Sequence, residues 1–415
     1  MTLTNWAGNV VFTPERYERA TKVEQVQDLV AAARGVRVLG SGHSFSPVAA
    51  TDGLLLSLED LPLSVDVDTA AATARVTASA RFAHVMPALH AAGLALHNTG
   101  SLPHISVAGA SATGTHGSGT GNQCLAAGVV GIELIGPDGE LRTLAAGDAG
   151  FDGSVVAMGL AGVVTALTLK ARPTFEVRQF VYDDLPLAAL IADFEEIMGS
   201  AYSVSAFTRW QGPVMDLLWR KQLADDPEPP AGYFGARRSD GPRHPIVGMP
   251  TENATQQLGV PGPWHERLPH FRFEFTPSRG DELQTEYLLP IEQAGAALAA
   301  VDAVHEQFAP ALQIAEIRTI AGDDLWLSPC YGRTTVALHF TWVDDLTKVT
   351  PALAALEGAL EGFDARPHWG KVFGIPRDVV RSRYPRLGDF EKLVRQVDPE
   401  GKFANAFTRS YLDLP

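Results

Sequence analysis

The chain has 415 residues, of which 46% are hydrophobic and 20% are charged, and its formal net charge is −15. This length favours two or three domains, and the composition is ordinary for a globular protein. The acidic balance argues against a nucleic-acid partner, and no apolar run approaches the roughly 18–20 residues that span a bilayer.

The N-terminus and the cysteines indicate the cellular compartment. The opening residues, MTLTNWAGNV, lack the basic and apolar regions of a signal peptide. Cys124 and Cys330 are far apart and outside any C-x-x-C motif, which is typical of a reducing compartment. We therefore expect a cytoplasmic protein without a membrane partner.

The first 172 residues mix short helical and extended patterns. Apolar residues at helical spacing predict helices at 22–34 and at about 81–92, the second of which ends before Gly93. Alternating or continuous apolar patterns predict strands in VRVLG, LLLSL, the hairpin SVDVDTAAATARVTAS, and GVVTALTLKA. Pro173 then marks a domain boundary.

Beyond Pro173 the predicted elements are longer. Helices are predicted near 185–199, 291–308 and 347–361, and a last helix precedes the C-terminal DPEGKFANAF. Strands are predicted in YSVSAFTRW, HFRFEF, LQTEYLL, LQIAEIRTI and TTVALHFTWV. Residues 222–268, rich in Pro and Gly, predict a long functional or mobile loop. Because strands and helices mix without a regular βαβ rhythm, the expected class is α+β.

The turn GSGHSF, residues 40–45, places His43 among small residues directly after an apolar strand. Its G-x-G is half of a dinucleotide fingerprint, but Phe45 stands at the third glycine position and Pro47 follows, so no Rossmann site is expected. The stretch NTGSLPHISVAGASATGTHGSGTG, residues 98–121, is a second loop of small residues with an embedded His116. Two such loops can present many backbone N–H groups, which favours a phosphate-bearing cofactor over two unrelated turns.

The histidines of this region do not indicate a metal site. His43, His97, His104 and His116 show no short metal-binding spacing and no interleaved carboxylate. We interpret His97 and His104 as hydrogen-bonded structural histidines.

The late strands carry polar faces, because residues i and i+2 of a strand share a face. Glu316 and Arg318 share one face of their strand, and His339 and Thr341 share one face of the next. These faces either meet solvent with a surface salt bridge or cover a cavity suited to a polyhydroxylated ligand. Lys371, in HWGKVF, is either a buried amine of lowered pKa or a surface lysine with a buried stem.

Taken together, these motifs resemble a known family. VRVLGSGHSF, SLPHISVAGASATGTHGSG, GVVTALTL, EIRT, HWGK and FANAF are similar to the vanillyl-alcohol-oxidase type of FAD enzyme and, within it, to the alditol oxidases. The resemblance runs from NWAGN at residues 5–9 to the C-terminal NAF. It implies a FAD-binding domain of two α+β pieces at 1–172, a cap domain with an antiparallel sheet at 173–365, and a C-terminal segment, 366–415, that returns to the FAD-binding domain.

The resemblance also implies roles for individual residues. His43 would bond covalently to the 8α-methyl group of FAD. The other residues expected at the cofactor are Val38, Leu39, Gly40, Ser41, Gly42, Ser44, Ser101, Ser106, Gly109, Thr113, Gly114, Thr115, His116, Val163 and His368. The residues expected to bind the polyol are Ser101, Glu316, Arg318, Thr341 and Lys371, and those expected to be catalytic are His339, Lys371, Arg318 and Glu316.

The implied reaction is oxidation of the terminal alcohol of an alditol, such as xylitol or sorbitol, to the aldose, with hydride transfer to flavin N5 and reduction of O2 to hydrogen peroxide. A base of pKa near the working pH would take the hydroxyl proton, and the sequence leaves His339 and Lys371 both open for that role. Two alternatives remain: a sugar-lactone oxidase or dehydrogenase of the same fold, and a non-catalytic sugar-binding protein. We expect a monomer.

Gly100 is a departure from the resemblance, because alditol oxidases tend to carry alanine at the matching position. Two interpretations are open at this stage. Gly100 could widen a path for O2 beside the flavin, or it could be a turn residue that needs a positive φ.

Overall fold

The computed structural model describes residues 2–275 and 280–415. Within these ranges, no helix combines the length and the apolar character needed to cross a membrane. The described residues form a small parallel sheet and two larger antiparallel sheets with helices packed against them, which is the α+β class expected from the sequence.

The parallel sheet lies near the N-terminus and ends at the glycine turn. Its strands, in order across the sheet, are Arg16–Arg19, Leu54–Ser57 and Val36–Leu39. The helix Val23–Ala32 connects the first two strands in chain order and buries Val26 and Val30 at helical spacing. Because the strand Val36–Leu39 stops directly before Gly40, the turn with His43 begins at a fixed edge of the sheet.

The second sheet has five antiparallel strands within the described chain. In order they are Leu141–Ala145, Val129–Ile135, Val163–Lys170, Thr73–Thr77 and Val65–Asp68. The accompanying helices are Phe82–Ala91, Val107–Thr113 and Phe151–Val155, with a 3₁₀ turn at Leu125–Gly128. Two short pairs complete this half of the chain: Leu3–Thr4 with Val11–Phe12, and Leu94–Ala95 with Arg172–Pro173.

The largest sheet is antiparallel and contains ten of the described strands. Nine lie in the order Gly232–Tyr233, Ala236–Arg238, Glu176–Pro186, Val214–Leu223, Ser203–Thr208, Leu312–Ile320, Thr335–Val343, Glu282–Pro290 and Arg366–Pro367; Gly262–Pro263 pairs with Glu176–Pro186. The helices of this part are Leu187–Ala192, Phe194–Met198, Trp264–Arg267, Ala294–Asp302, His305–Phe308 and Leu346–Ala359, with 3₁₀ turns at Thr251–Asn253, Ile291–Gln293, Ala309–Ala311 and Glu361–Phe363.

The two faces of this sheet have opposite character. On the strand Thr335–Val343, Phe340 and Trp342 stack with each other and contact Phe308, in one apolar cluster with the helices. The opposite face of the same strand carries His339 and Thr341, because side chains alternate along a strand. Both are buried as well, so this face covers an interior space instead of solvent.

The C-terminal helices are Arg377–Arg383, Leu387–Val397 and Ala406–Tyr411. The segment between the last two contacts the N-terminal sheet. Phe403 joins the apolar core of the parallel sheet, and the Arg37 guanidinium donates to its carbonyl at 2.6 Å. Asn405 donates to the carbonyl of Ala50 at 2.8 Å.

Some predicted elements differ from the structure. HFRFEF is not a strand: Phe271 makes one isolated bridge to Ala254. The helix predicted at 185–199 is two short helices that meet at Asp193. The sequence did not reveal the strands Glu176–Pro186 and Val214–Leu223, because polar residues such as Lys221 are buried in them and obscure the apolar pattern.

Candidate active site

Three neighbouring strands of the large sheet place a row of ionisable side chains on one face. Glu316 lies directly opposite His339, and His339 lies directly opposite Glu286 on the next strand. Residues that face each other across antiparallel strands share a face, and so do residues two positions apart. Arg318 and Thr341 therefore join the same face, which closes one side of a cavity.

The cavity has a volume of about 340 Å³ and extends from this sheet to the glycine turn. It brings together nearly all residues that the sequence predicts at a site. Those that line it are Val38, Leu39, Gly40, Ser41, Gly42, His43, Ser44, Ser101, Ser106, Gly109, Thr113, Thr115, His116, Glu316, Arg318, His339, Thr341, His368 and Lys371.

Among the described residues, two predicted cofactor contacts do not line this cavity. Val163 is buried in the core of the parallel sheet, while its neighbour Val164 points into the cavity from the other face of the strand. Gly114 ends a helix with φ +74°, and a Cβ there would lie 3.1 Å from Pro329, away from the cavity.

His43 sits where the glycine turn meets the cavity. Its ring stacks on Trp6, with ring centroids 5.2 Å apart and an angle of 21° between the planes. Its Nδ1 is buried and has no hydrogen-bond partner among the described residues. Burial, helped by the charges of Arg81 and other nearby groups, lowers the pKa of His43 to about 4, so the ring is neutral at pH 7.

The two glycine-rich stretches meet at one point beside His43. Ser106 N donates to Ser41 Oγ at 3.1 Å, which ties the turn to the start of the helix Val107–Thr113. A Cβ at Gly40 would lie 2.6 Å from Ser106 Oγ, and one at Gly109 would lie 2.7 Å from the same atom. A side chain at either position would force the Ser106 hydroxyl to move, so the two loops approach each other closely here and form a glycine cradle of the kind that can hold a pyrophosphate.

At the other end of the cavity, Glu286 lies between the guanidinium group of Arg318 and the imidazole ring of His116. Arg318 Nη2 donates to Glu286 Oε1 at 2.6 Å, and His116 Nε2 lies 3.2 Å from the same oxygen. Burial alone would raise the pKa of Glu286, but His116 and Arg318 outweigh burial and hold the pKa well below its usual range. The carboxylate is therefore charged, and it orients the Arg318 guanidinium.

Glu316 has two partners of its own. His270 Nε2 lies 2.7 Å from Glu316 Oε1, and Arg318 Nε lies 3.7 Å from the same oxygen. Burial opposes ionisation here too, but Arg318 and His270 outweigh it and lower the pKa of Glu316. The sheet face thus presents a charged carboxylate and a guanidinium side by side, a combination that accepts from and donates to hydroxyl groups.

Lys371 and His339 meet at Gln284. Gln284 Oε1 accepts a hydrogen bond from Lys371 Nζ and lies 3.1 Å from His339 Nε2. Burial lowers the pKa of Lys371 to about 8 and the pKa of His339 to about 3. The Lys371 side chain is half-buried, and of the two groups its pKa is the one nearer neutral pH.

His368 completes the wall between the two ends of the cavity. Its Nδ1 accepts a hydrogen bond of 3.0 Å from Gly370 N, and its ring centroid lies 6.0 Å from that of His116. Burial lowers the pKa of His368 to about 3, so the ring is neutral.

The cavity is also lined by residues that were not predicted from the sequence, among them Gln284, Glu286, His270 and Trp6. Gln284 and Glu286 alternate with apolar residues in LQTEYLL, so the same two-residue spacing that revealed Glu316 could have revealed them. His270 lies in irregular chain after the helix Trp264–Arg267, and Trp6 lies between two short strands. No periodic pattern marks either of these two.

The histidines interpreted as structural are indeed hydrogen-bonded to the backbone. His97 Nε2 lies 3.2 Å from the carbonyl oxygens of Gln123 and Cys124, and His104 Nε2 lies 2.8 Å from that of Phe273. Neither lines the cavity.

Two family models match the chain. The FAD binding domain model matches residues 14–145, and the D-arabinono-1,4-lactone oxidase model matches residues 277–411. The alditol oxidase of a Streptomyces species is 51% identical over 414 residues, which cover 99% of both chains. The L-gulono-1,4-lactone dehydrogenase of Mycobacterium tuberculosis is 29% identical over 99% of this chain and 98% of its own.

Solved structures confirm the fold. The cholesterol oxidase of B. sterolicum superposes with a TM-score of 0.80 at 15% identity, over 99% of this chain and 96% of its own. The xylooligosaccharide oxidase of Myceliophthora thermophila superposes with a TM-score of 0.75 at 14% identity, over 99% and 94%. With the glycine cradle and the match to the FAD binding domain, these likenesses lead to one conclusion: the chain belongs to the vanillyl-alcohol-oxidase-type family of FAD-dependent oxidases, alongside the alditol oxidase that it resembles over its whole length.

Proposed function

We propose that this protein is a FAD-dependent alditol oxidase, which converts the terminal CH₂OH of a polyol such as xylitol or sorbitol to an aldehyde while O2 becomes hydrogen peroxide. The observation that carries the proposal is the buried polar sheet face of Glu316 and Arg318, which shares one cavity with the half-buried Lys371 and the glycine cradle. The high identity to an alditol oxidase over the whole chain supports the same function.

The glycine cradle, formed by the loops around Gly40 and Gly109, would hold the pyrophosphate of FAD through backbone N–H groups. When bound, FAD would supply the redox chemistry, as acceptor of the hydride from the alcohol carbon and as the source of the two electrons that reduce O2. In this proposal residues 1–172 and 366–415 form the FAD-binding domain and residues 173–365 form the cap. The short strand Arg366–Pro367 joins the two, because it pairs with the strand Glu282–Pro290 of the large sheet, and the backbone N–H groups of His270 and Phe271 add contacts to the Ser101 carbonyl.

His43 is the residue that we propose as the covalent attachment site. Attachment needs a neutral imidazole nitrogen that is free to form a bond, and His43 Nδ1 has no hydrogen-bond partner among the described residues. The lowered pKa keeps the ring neutral, and the stacked Trp6 restrains its orientation. Both conditions favour attachment at Nδ1.

The polyol would lie along the polar sheet face. Arg318 donates to hydroxyl oxygens, Glu316 accepts from hydroxyl protons, and Ser101 and Thr341 contribute hydroxyls to the lining. A molecule that lacks the matching hydroxyls leaves these buried groups unpaired, so the site discriminates strongly in favour of polyols. Glu316 and Arg318 thereby orient the substrate without transferring its proton.

Lys371 is the better base of the two candidates. A base works best when its pKa lies near the working pH, and burial brings the pKa of Lys371 to about 8. The pKa of His339 moves to about 3, away from that range, so His339 serves as a hydrogen-bonding residue beside the reacting carbon. The neutral Lys371 amine takes the hydroxyl proton as the C–H bond breaks.

A lactone-oxidising enzyme is the second candidate, because the D-arabinono-1,4-lactone oxidase model matches residues 277–411. Anaerobic mixing of the purified holoenzyme with xylitol, sorbitol or L-gulono-1,4-lactone separates the candidates through bleaching of the flavin absorbance. We expect fast bleaching by the polyols and formation of one hydrogen peroxide per aldehyde when O2 is admitted. Fast bleaching by the lactone alone contradicts the proposal, and so does recovery of colour with an electron-accepting dye but not with O2. A colourless protein that binds xylitol would instead be a sugar-binding protein.

A further inference from the structure

Lys221 is a buried lysine that does not line the cavity and that the proposed reaction does not use. It is 1% exposed and lies on the strand Val214–Leu223, two strands away from Glu316. Its ammonium group donates to the carbonyl oxygens of Leu268 and Pro269, at 2.5 and 3.0 Å, and lies 3.0 Å from His270 Nδ1. Burial lowers the pKa of Lys221 to about 7, and the three acceptors around Nζ match the three donors of its protonated form.

This arrangement fixes the tautomer of His270. Burial and the charge of Lys221 lower the pKa of His270 to about 4, so its ring is neutral and carries one proton. Since Lys221 donates to Nδ1, that proton sits on Nε2, which lies 2.7 Å from Glu316 Oε1. The result is a continuous chain of donors from Lys221 through His270 to the Glu316 carboxylate.

The ring of His270 has little freedom to turn away. It packs edge-on against Trp219 and Phe207, with ring centroids at 5.2 and 5.5 Å. The backbone N–H groups of His270 and Phe271 both donate to the carbonyl of Ser101, at 3.1 and 3.3 Å. The segment 268–271 (hereafter the anchored segment) therefore contacts both Glu316 and Ser101.

We propose that Lys221 is a positioning residue for substrate selection: by donating to His270 Nδ1, it keeps His270 donating to Glu316 and so holds that carboxylate where it engages polyol hydroxyls remote from the reacting carbon. This inference rests on the proposed function, because it needs Glu316 to contact the polyol. Lys221 acts through His270 and does not touch the substrate. Its loss should therefore reduce the affinity for long polyols more than the rate of the chemical step.

The test compares Lys221→Met with wild type, both as holoenzyme, on xylitol and on glycerol. Methionine keeps most of the buried stem and removes the donor. We expect KM for xylitol to rise by about tenfold, the effect of losing one hydrogen bond to a charged group, while kcat changes by less than about threefold. Glycerol lacks the remote hydroxyls, so its KM should change by less than about twofold.

Lys402→Met is the matched control. Lys402 Nζ also donates to backbone carbonyls, those of Val30 and Pro137, at 2.8 and 2.7 Å, but it does not line the cavity. We expect its loss to affect stability and to leave both KM values unchanged. An equal rise in KM for xylitol and glycerol in Lys221→Met would make Lys221 a mere structural anchor and overturn the proposal.

A double-mutant cycle separates this inference from the proposed function. If Glu316→Gln leaves KM for xylitol unchanged, the polyol site itself is wrong. If Glu316→Gln raises KM but folded Lys221→Met does not, the site stands and the role of Lys221 is overturned. The proposal expects Lys221→Met to raise KM in the wild-type background and to have little further effect in Glu316→Gln.

A second pair of variants keeps the test decisive if Lys221→Met does not fold. His270→Gln retains an N–H donor near the position of Nε2, whereas His270→Phe removes it. We expect His270→Gln to keep the preference for xylitol over glycerol and His270→Phe to lose it; equal behaviour of the two overturns the proposal. The ¹⁵N NMR signal of His270 in histidine-labelled wild type can be assigned by its loss in these variants. We expect it to show a ring protonated at Nε2, and a ring protonated at Nδ1 would also overturn the proposal.

Discussion

Arg318 Nη2 donates to Glu286 Oε1 at 2.6 Å, and both side chains are buried on the face of the sheet that closes the cavity. The pair is central to the site, because Glu286 Oε1 also lies 3.2 Å from His116 Nε2. A buried ion pair that loses one partner leaves an uncompensated charge in a medium of low polarity.

We therefore expect Glu286→Gln to lower the free energy of unfolding of the holoenzyme by about 3 kcal/mol, because it removes the charge but keeps the size of the side chain. Glu133→Gln is the control: Glu133 pairs with Arg75 at the same distance of 2.6 Å, but with side chains 26% and 41% exposed. Loss of that exposed pair should cost at most about 1 kcal/mol. Urea unfolding measures both, and equal losses would contradict the burial argument.

Lys371→Met should slow anaerobic flavin reduction by xylitol by at least about a hundredfold, within the usual range for loss of a general base, and leave FAD bound. The exposed Lys348, whose side chain is 67% exposed, provides the control Lys348→Met. Reduction at a near-normal rate in Lys371→Met would remove Lys371 from the mechanism.

The pH dependence of wild type follows from the pKa of Lys371, which burial lowers to about 8. A protonated amine cannot accept the hydroxyl proton, so the rate of flavin reduction should rise with pH and level off above about pH 8. Stopped-flow reduction between pH 6 and pH 10 measures this profile. A rate of flavin reduction that does not change with pH across this range would point to His339, since the pKa of His339 is about 3 and its ring is neutral throughout.

Acid denaturation followed by filtration tests the attachment of FAD at His43. We expect the yellow colour to stay with wild-type protein and to pass into the filtrate for His43→Ala, which keeps the cradle of Ser41 and Ser106. Trp6→Ala should still retain the colour, with slower attachment, because the stacked indole only orients the ring. Release of all colour from wild type would show that the attachment is not covalent.

Gly100 supplies a test of oxygen access. Its φ is not among the positive glycine values, so the turn explanation fails, and an added Cβ would meet Ile105 and Thr115 at ordinary distances of 3.7 and 3.8 Å. Gly100→Ala and Gly100→Val should fold and reduce the flavin at a rate close to that of wild type. Reoxidation of the flavin by O2 should be slower in Gly100→Ala and slowest in Gly100→Val. Unchanged reoxidation in folded Gly100→Val would exclude the oxygen path.

Much of the fold could be predicted because the apolar spacing that indicates a helix or a strand lies within one short stretch of the sequence. Apolar spacing gave the helix Val23–Ala32 and the strands Leu312–Ile320 and Thr335–Val343. HFRFEF shows the limit: its alternation is typical of a strand, but Phe271 pairs at a single bridge, and the backbone N–H groups of His270 and Phe271 bond to Ser101 instead of to a neighbouring strand.

The sequence by itself determined which side chains share a face, because the two-residue period of a strand is a property of the backbone. It therefore placed Glu316 with Arg318 and His339 with Thr341. Whether those faces meet solvent or a cavity was decided by the tertiary structure, since it depends on strands distant in the chain that lie across the sheet. The preference for Lys371 over His339 as the proposed base also depends on the tertiary structure, because a pKa is set by burial and by neighbouring charges, and these exist only after the sheet, the glycine turn and the anchored segment have come together.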